Sequence, residues 1–184
     1  MKYTIELIDN QRRRSFLTTP LKPGEIGNEQ SCRLMGFFVR RDAQSPTLRK
    51  WVLETLIKSA PGHDARAEIA ACFQFAQNGI VYRHDPLGIE RAADLQSILT
   101  TLAPNGRPEG DCGIKSVALA TSLALLGYKP AFVLAAKSPY AKGFSHIYCQ
   151  TTLDGRRIPL DPTPVDKPLG WEIPAGRRRI YEIF

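Results

Sequence analysis

The stretch Gly110-Asp111-Cys112-Gly113-Ile114-Lys115-Ser116-Val117-Ala118-Leu119-Ala120-Thr121-Ser122-Leu123-Ala124-Leu125-Leu126-Gly127 decides the fold of this 184-residue chain. From Ile114 to Leu126 the only charge is Lys115, and Gly127 stands where a left-handed C-cap belongs. The pattern predicts a helix buried nearly all round. Cys112 opens it, against the positive end of the helix macrodipole, which favours thiolate over thiol, and the thiolate is the reactive form. The glycines at 110 and 113 leave room for a substrate backbone and let the Cys112 N–H point outward as a donor. Packing is the alternative use of such a cysteine, since free cysteines are among the most buried residues.

With 43% hydrophobic and 23% charged residues, the chain has the balance of one globular domain. The domain reading is an N-terminal β arm or hairpin over 1–30 and a core over 31–184 that ends in a basic C-terminal tail. The formal charge of +7 is concentrated in Arg12-Arg13-Arg14 and Arg177-Arg178-Arg179, which read as solvated faces or tails. No nucleic-acid motif accompanies them. Acidic residues near the start and the short apolar runs predict no signal peptide, no membrane span and a cytoplasmic setting. Cys32, Cys72, Cys112 and Cys149 are scattered without zinc spacing, which fits a reducing compartment and predicts no metal and no cofactor.

Residues 2–9 alternate as a strand, and Ser15 to Thr18 pairs back on it. Gln30 to Val39 leans towards helix. Ser45 as N-cap with Pro46 opens a second helix, and Asp64 caps a third that stops at Asn78-Gly79. A short strand, Ile80 to Tyr82, the turn Asp85-Pro86-Leu87-Gly88 and a helical turn around Leu95 to Leu102 lead to a rigid loop at 104–108. Beyond the central helix, Ala131 to Ala136 and Phe144 to Thr152 are strands.

The second of these carries His146. Leu153-Asp154-Gly155-Arg156 reads as a hairpin with a type I′ turn. That register puts Tyr148 opposite Asp161 and makes His146 a diagonal neighbour of Asp161, within side-chain reach. A carboxylate there holds one imidazole nitrogen and leaves the other free to act as a base. Pro159, which lacks a ladder N–H, predicts some irregularity in the pairing. A zinc site at Cys112, His146 and Asp161 is the chemical alternative. His63 and His84 read as surface or turn residues, Cys72 and Cys149 as packing residues, and Cys32 has no readable context.

Gly-Asp-Cys at 110–112, Phe-Ser-His-Ile-Tyr at 144–148 and Leu-Asp-Pro-Thr at 160–163 resemble the transglutaminase-like cysteine peptidase superfamily. Tyr82 to Glu90, Leu95-Gln96 and Leu169-Gly170-Trp171 are similar to its bacteriophage-encoded members. The resemblance implies an α+β, papain-like fold, with N-terminal helices and the cysteine heading a buried helix on an antiparallel sheet. It implies Cys112 as nucleophile, His146 as general base and acid, and Asp161 as orienting carboxylate; Gln96 is the candidate for a second oxyanion-hole donor, with a solvated helix residue as the favoured alternative. The expected activity is thioester chemistry on amide or peptide bonds, with hydrolysis favoured over cross-linking. A catalytically silent phage or prophage assembly protein is the alternative, and the expected partners are a protein or peptide substrate or virion proteins. Where phage-type relatives place acidic residues after the cysteine, this chain has Gly113-Ile114-Lys115. Lys115 reads as solvated, with lowering of the thiol pKa or binding of an acidic substrate group as alternatives.

Overall fold

The computed structural model describes residues 3–8, 17–60, 64–100 and 106–184. The apolar stretch is helix α5 (Cys112–Leu125). Asp111 caps its start, accepting the Ile114 N–H at 3.1 Å. At its end Gly127 takes φ 93°, the Tyr128 N–H returns to the Leu123 carbonyl and the Gly127 N–H to that of Ala124. Those paired bonds are a Schellman cap. Every residue from Gly113 to Leu123 is buried, as the apolar composition predicts. The burial includes Lys115, so its reading as a solvated side chain is corrected below.

Before α5 come β1 (Tyr3–Ile8), β2 (Leu17–Leu21), α1 (Glu25–Asp42), α2 (Pro46–Trp51), α3 (Ala65–Gln74), β3 (Val81–Tyr82), β4 (Ile89–Ala93), α4 (Leu95–Thr100) and β5 (Glu109–Gly110). After it come β6 (Ala131–Ala136), β7 (His146–Leu153), β8 (Arg156–Leu160) and β9 (Arg177–Glu182). Ser45 caps α2 and Asp64 caps α3 through their side chains. Each helix ends in a π-helical turn, Val52–Leu56 and Phe75–Gly79 respectively. The N-terminal hairpin forms, and it also docks: β1 pairs antiparallel with β2 and parallel with β4. The boundary falls at Gly24 rather than 30, because α1 begins at Glu25. The Asp9-Asn10 turn, the Arg12–Arg14 run and His63 lie outside the described residues, as does most of the 104–108 loop's approach.

The main sheet is antiparallel, in the order β8-β7-β6-β9. Asp154 and Gly155 both have positive φ, 52° and 73°, as a type I′ turn requires. The expected register runs unbroken from Leu153↔Arg156 to Cys149↔Leu160. Pro159 does not disturb it, contrary to expectation. In a two-residue hairpin residues 156, 158 and 160 face the partner strand, so Pro159 lies at an outward position of edge strand β8 and removes no ladder donor. Its carbonyl instead accepts the Gly170 N–H at 3.2 Å.

The basic run at 177–179 is no C-terminal tail: it forms β9, paired with β6 along its length. Alternation sends its charges to separate partners. Arg177 and Arg179 both bind Glu25 of α1 at 2.6 Å and lie over the Phe144 ring. Arg178 bonds the Tyr148 hydroxyl at 3.1 Å and the Ile173 carbonyl at 2.7 Å. α5 packs between α1 on one side and β7 on the other, which carries its first turn to the strand that holds His146. Among the described residues no helix is long and apolar enough to cross a membrane.

Candidate active site

Cys112 is the first residue of α5, and strand β7 opens at His146. Two main-chain groups of Ile147 bring them together. β8 ends opposite Cys149, so the next outward-facing residue of β7 towards its start, Ile147, has no strand partner on that side. Its N–H is taken by the Cys112 thiol, and its carbonyl accepts the Ser116 hydroxyl at 3.3 Å. That hydroxyl also reaches the Cys112 carbonyl at 2.7 Å. The mouth of the helix is thus sewn to the strand one residue from His146.

Cys112 and His146 line one cavity of about 360 Å³. Asn28, Ser31, Tyr82, Asp85, Glu90 and Asp111 contribute polar groups to its wall. The His146 Nε2 lies 2.8 Å from Asp161 Oδ2, with the histidine side chain 14% and the aspartate 1% exposed. An ionised carboxylate only accepts, so Nε2 carries the proton and Nδ1 is left as the acceptor. The other carboxylate oxygen, Oδ1, takes the Thr163 N–H at 3.1 Å. Under the imidazole lies the fully buried Tyr148, its ring 5.9 Å away and nearly parallel. Tyr148 is held in turn by Glu172 at 2.6 Å.

The electrostatics around the sulfur differ from the sequence-based expectation. Burial, then the Asp111 charge, pushes the Cys112 thiol up to about 12; the Ile147 N–H opposes this, and Glu90 and Asp161 add to it. The helix end is real, but its own cap is an anion beside the sulfur, and burial with that charge works against the thiolate. Asp85, Glu90 and Asp111 offer carboxylate oxygens within 4.8 Å of one another. Burial and the other two carboxylates raise Glu90 to about 8. Burial and Asp85 raise Asp111 to about 6, against the N–H groups of Ile114 and Gly113. This cluster, rather than Cys112, His146 and Asp161, holds the carboxylates with the spacing to take a metal ion.

Gln96 sits on α4 and does not line the cavity. Tyr82 does, and it is close enough to Cys112 for a thiolate there to help raise its own hydroxyl to about 12, behind burial as the main cause. A Cβ at Gly110 would stand 2.4 Å from the Ile114 side chain, so that glycine clears helix packing and not a substrate. Cys72 and Cys149 are buried packing residues, the latter bonded to the Ser116 carbonyl at 3.1 Å. Cys32 is buried on α1 at the cavity's edge, and His84 is in the turn after β3, 3.4 Å from the Tyr82 hydroxyl. Sequence reading missed Tyr82 and Glu90. Both lie in the stretch quoted for its resemblance, but neither has a spacing to Cys112 that marks it.

No protein-family model matches the sequence, and no curated protein matches it. Solved structures resemble the fold. A candidate cysteine protease from Cytophaga hutchinsonii superposes with a TM-score of 0.52 at 14% identity, covering 68% of this chain and 39% of that one. A candidate protease from Parabacteroides distasonis gives 0.55 at 10% identity, covering 83% and 29%. A TGase gives 0.39 at 14% identity, covering 79% and 35%. The chain therefore spans well under half of the structures it resembles, and the first two likenesses show a shared mixed α/β fold with an antiparallel sheet.

Proposed function

We propose that this chain is a transglutaminase-like thiol enzyme that cleaves amide or peptide bonds, with Cys112 as nucleophile, His146 as general base and acid, and Asp161 as the carboxylate that orients it. The observation that carries this reading is the 2.8 Å contact between a buried Asp161 and a His146 that shares its cavity with the cysteine at the head of α5. Asp161 holds Nε2–H, so Nδ1 takes the thiol proton as sulfur attacks the carbonyl carbon. The Cys112 N–H, at a helix position without an intrahelical acceptor, donates to the oxyanion. In place of Gln96, Tyr82 is the side-chain donor, because its hydroxyl stays protonated across the physiological range. The Nδ1 proton then goes to the leaving amine as the C–N bond breaks and a thioester remains. Water gives a proton back to His146 and adds to the thioester, releasing the acid and restoring the thiol.

Hydrolysis is favoured over amine capture, because transfer to an amine requires water to be kept out and this cavity is walled by Asp85, Glu90, Asp111, Asn28 and Ser31. The bacteriophage type, and a bacterial or virion setting, remain part of this reading on the strength of the sequence resemblance alone. The silent assembly-protein alternative loses one support, since the arginines at 177 and 179 are committed to Glu25. Incubation with a proteome-derived peptide library and a dansylated primary amine, read by mass spectrometry, tests the proposal. New peptide termini that vanish in Cys112→Ala support it, and amine-labelled glutamines would shift it to transfer. Identical products from wild type and Cys112→Ala would overturn it.

A further inference from the structure

Lys115 is the largest charged side chain in the interior, fully buried one helical turn below Cys112. Among the described residues its ammonium meets no carboxylate at hydrogen-bond distance. It donates instead to the main-chain carbonyls of Gln77 at 2.8 Å and of Pro162 at 3.2 Å. The first belongs to the π-helical turn that ends α3, where terminal carbonyls lack helical partners and the macrodipole is negative. The second belongs to the residue that follows Asp161. Gln77, itself buried, completes the arrangement: its side-chain amide donates to the carbonyls of Pro164 at 2.7 Å and Lys167 at 2.8 Å.

The loop that these groups hold reads Asp161-Pro162-Thr163-Pro164-Val165-Asp166-Lys167. Two prolines deprive it of main-chain donors, so it cannot fix its course by the ladder bonds that hold β8. Its carbonyls can only accept, and the interior supplies donors at 162, 164 and 167. From this geometry we infer that Lys115 and Gln77 are positioning residues: a clasp between α5, the end of α3 and the 162–167 loop that sets the Asp161 carboxylate against His146. The inference rests on the roles proposed for His146 and Asp161, but it concerns the hydrogen bond between them and can be read without turnover. Burial, with Arg107 adding to it and Asp161 opposing it, lowers the Lys115 ammonium to about 8, which is consistent with a cation held by dipoles alone.

Long-range ¹H–¹⁵N spectra of the imidazoles test this in the substrate-free protein, with Asp161→Ala as the reference for a lost contact. In wild type His146 should show the single Nε2–H tautomer. Lys115→Met should give the mixed tautomers of Asp161→Ala while far-UV circular dichroism stays native, and Lys115→Arg should restore most of the wild-type pattern. Gln77→Ala, which leaves the ammonium in place, should give an intermediate mixture and keeps the test decisive if Lys115→Met fails to fold. With a cleavable peptide in hand, kcat should fall about tenfold in Lys115→Met with KM unchanged. A locked tautomer in folded Lys115→Met, or in Gln77→Ala should the former not fold, would overturn the clasp. A wild-type protein with the locked tautomer and no turnover would refute the enzyme and leave the clasp standing.

Discussion

Around Cys112 the protein gathers three carboxylates, Asp85, Glu90 and Asp111, within 4.8 Å of one another. Behind His146, which lines the same cavity, it uses one, Asp161, and assigns each of its oxygens a donor. On the sulfur's side, charge is disfavoured: the thiol is raised to about 12 and Glu90 to about 8. On the imidazole's side, the site is wired in advance through Thr163, Tyr148 and the loop carbonyls. The difference teaches where the proton rests before reaction. Burial and nearby carboxylates favour keeping it on sulfur, which makes a base placed to remove it as the bond to carbon forms the group that matters.

Three substitutions break or sharpen this contrast. The largest effect is expected from His146→Ala. If the resting group is a thiol that needs the imidazole, alkylation of Cys112 by iodoacetamide at pH 7.5 should slow by about 100-fold or more, measured by intact mass. An unchanged rate would mean that the two sides work independently. Asp161→Ala should cost roughly tenfold to 100-fold in the same assay, because the imidazole remains but its orientation does not.

The smallest effect, on the acidic side, comes from Glu90→Gln. The folded-state pKa of Glu90 is raised from 4.5 to about 8. Its protonated form is therefore the one that folding favours, and that contribution is full below about 4.5 and lost as pH rises to about 8. Glu90→Gln should match wild-type stability near pH 4.5 and exceed it at pH 8, by a Tm gain of several degrees, since each pKa unit is worth about 1.4 kcal/mol. Cys112 should also alkylate several-fold faster at pH 8, with one opposing charge removed. A Tm difference independent of pH would deny Glu90 its buried charge.

Much of the base side was legible in the residues. Asp154-Gly155 dictated a turn, the turn fixed a register, and the register put His146 within reach of Asp161. The central helix announced both its ends. Strands β4 and β9 were harder to read, because Ile-Glu-Arg-Ala-Ala and Arg-Arg-Arg-Ile-Tyr-Glu place charges where a strand buries half its side chains. Those charges find partners from distant segments: Glu25 answers Arg177 and Arg179. The acidic wall was hidden for the same reason, since it draws on positions 85, 90 and 111. The rule that a helix start activates a cysteine counts the dipole and omits the capping aspartate and the burial, both of which oppose the thiolate here. Lys115 stood out, but its burial and its partners did not: its acceptors are carbonyls, which every residue carries.

That anonymity has an evolutionary corollary. Because the ammonium of Lys115 is answered by the main chain at 77 and 162, no exchange of either side chain can remove its acceptors. Drift at 162 is therefore tolerated so long as the chain keeps its path, whereas position 115, and position 77 through the amide that holds Pro164 and Lys167, bear the risk of a single inherited change.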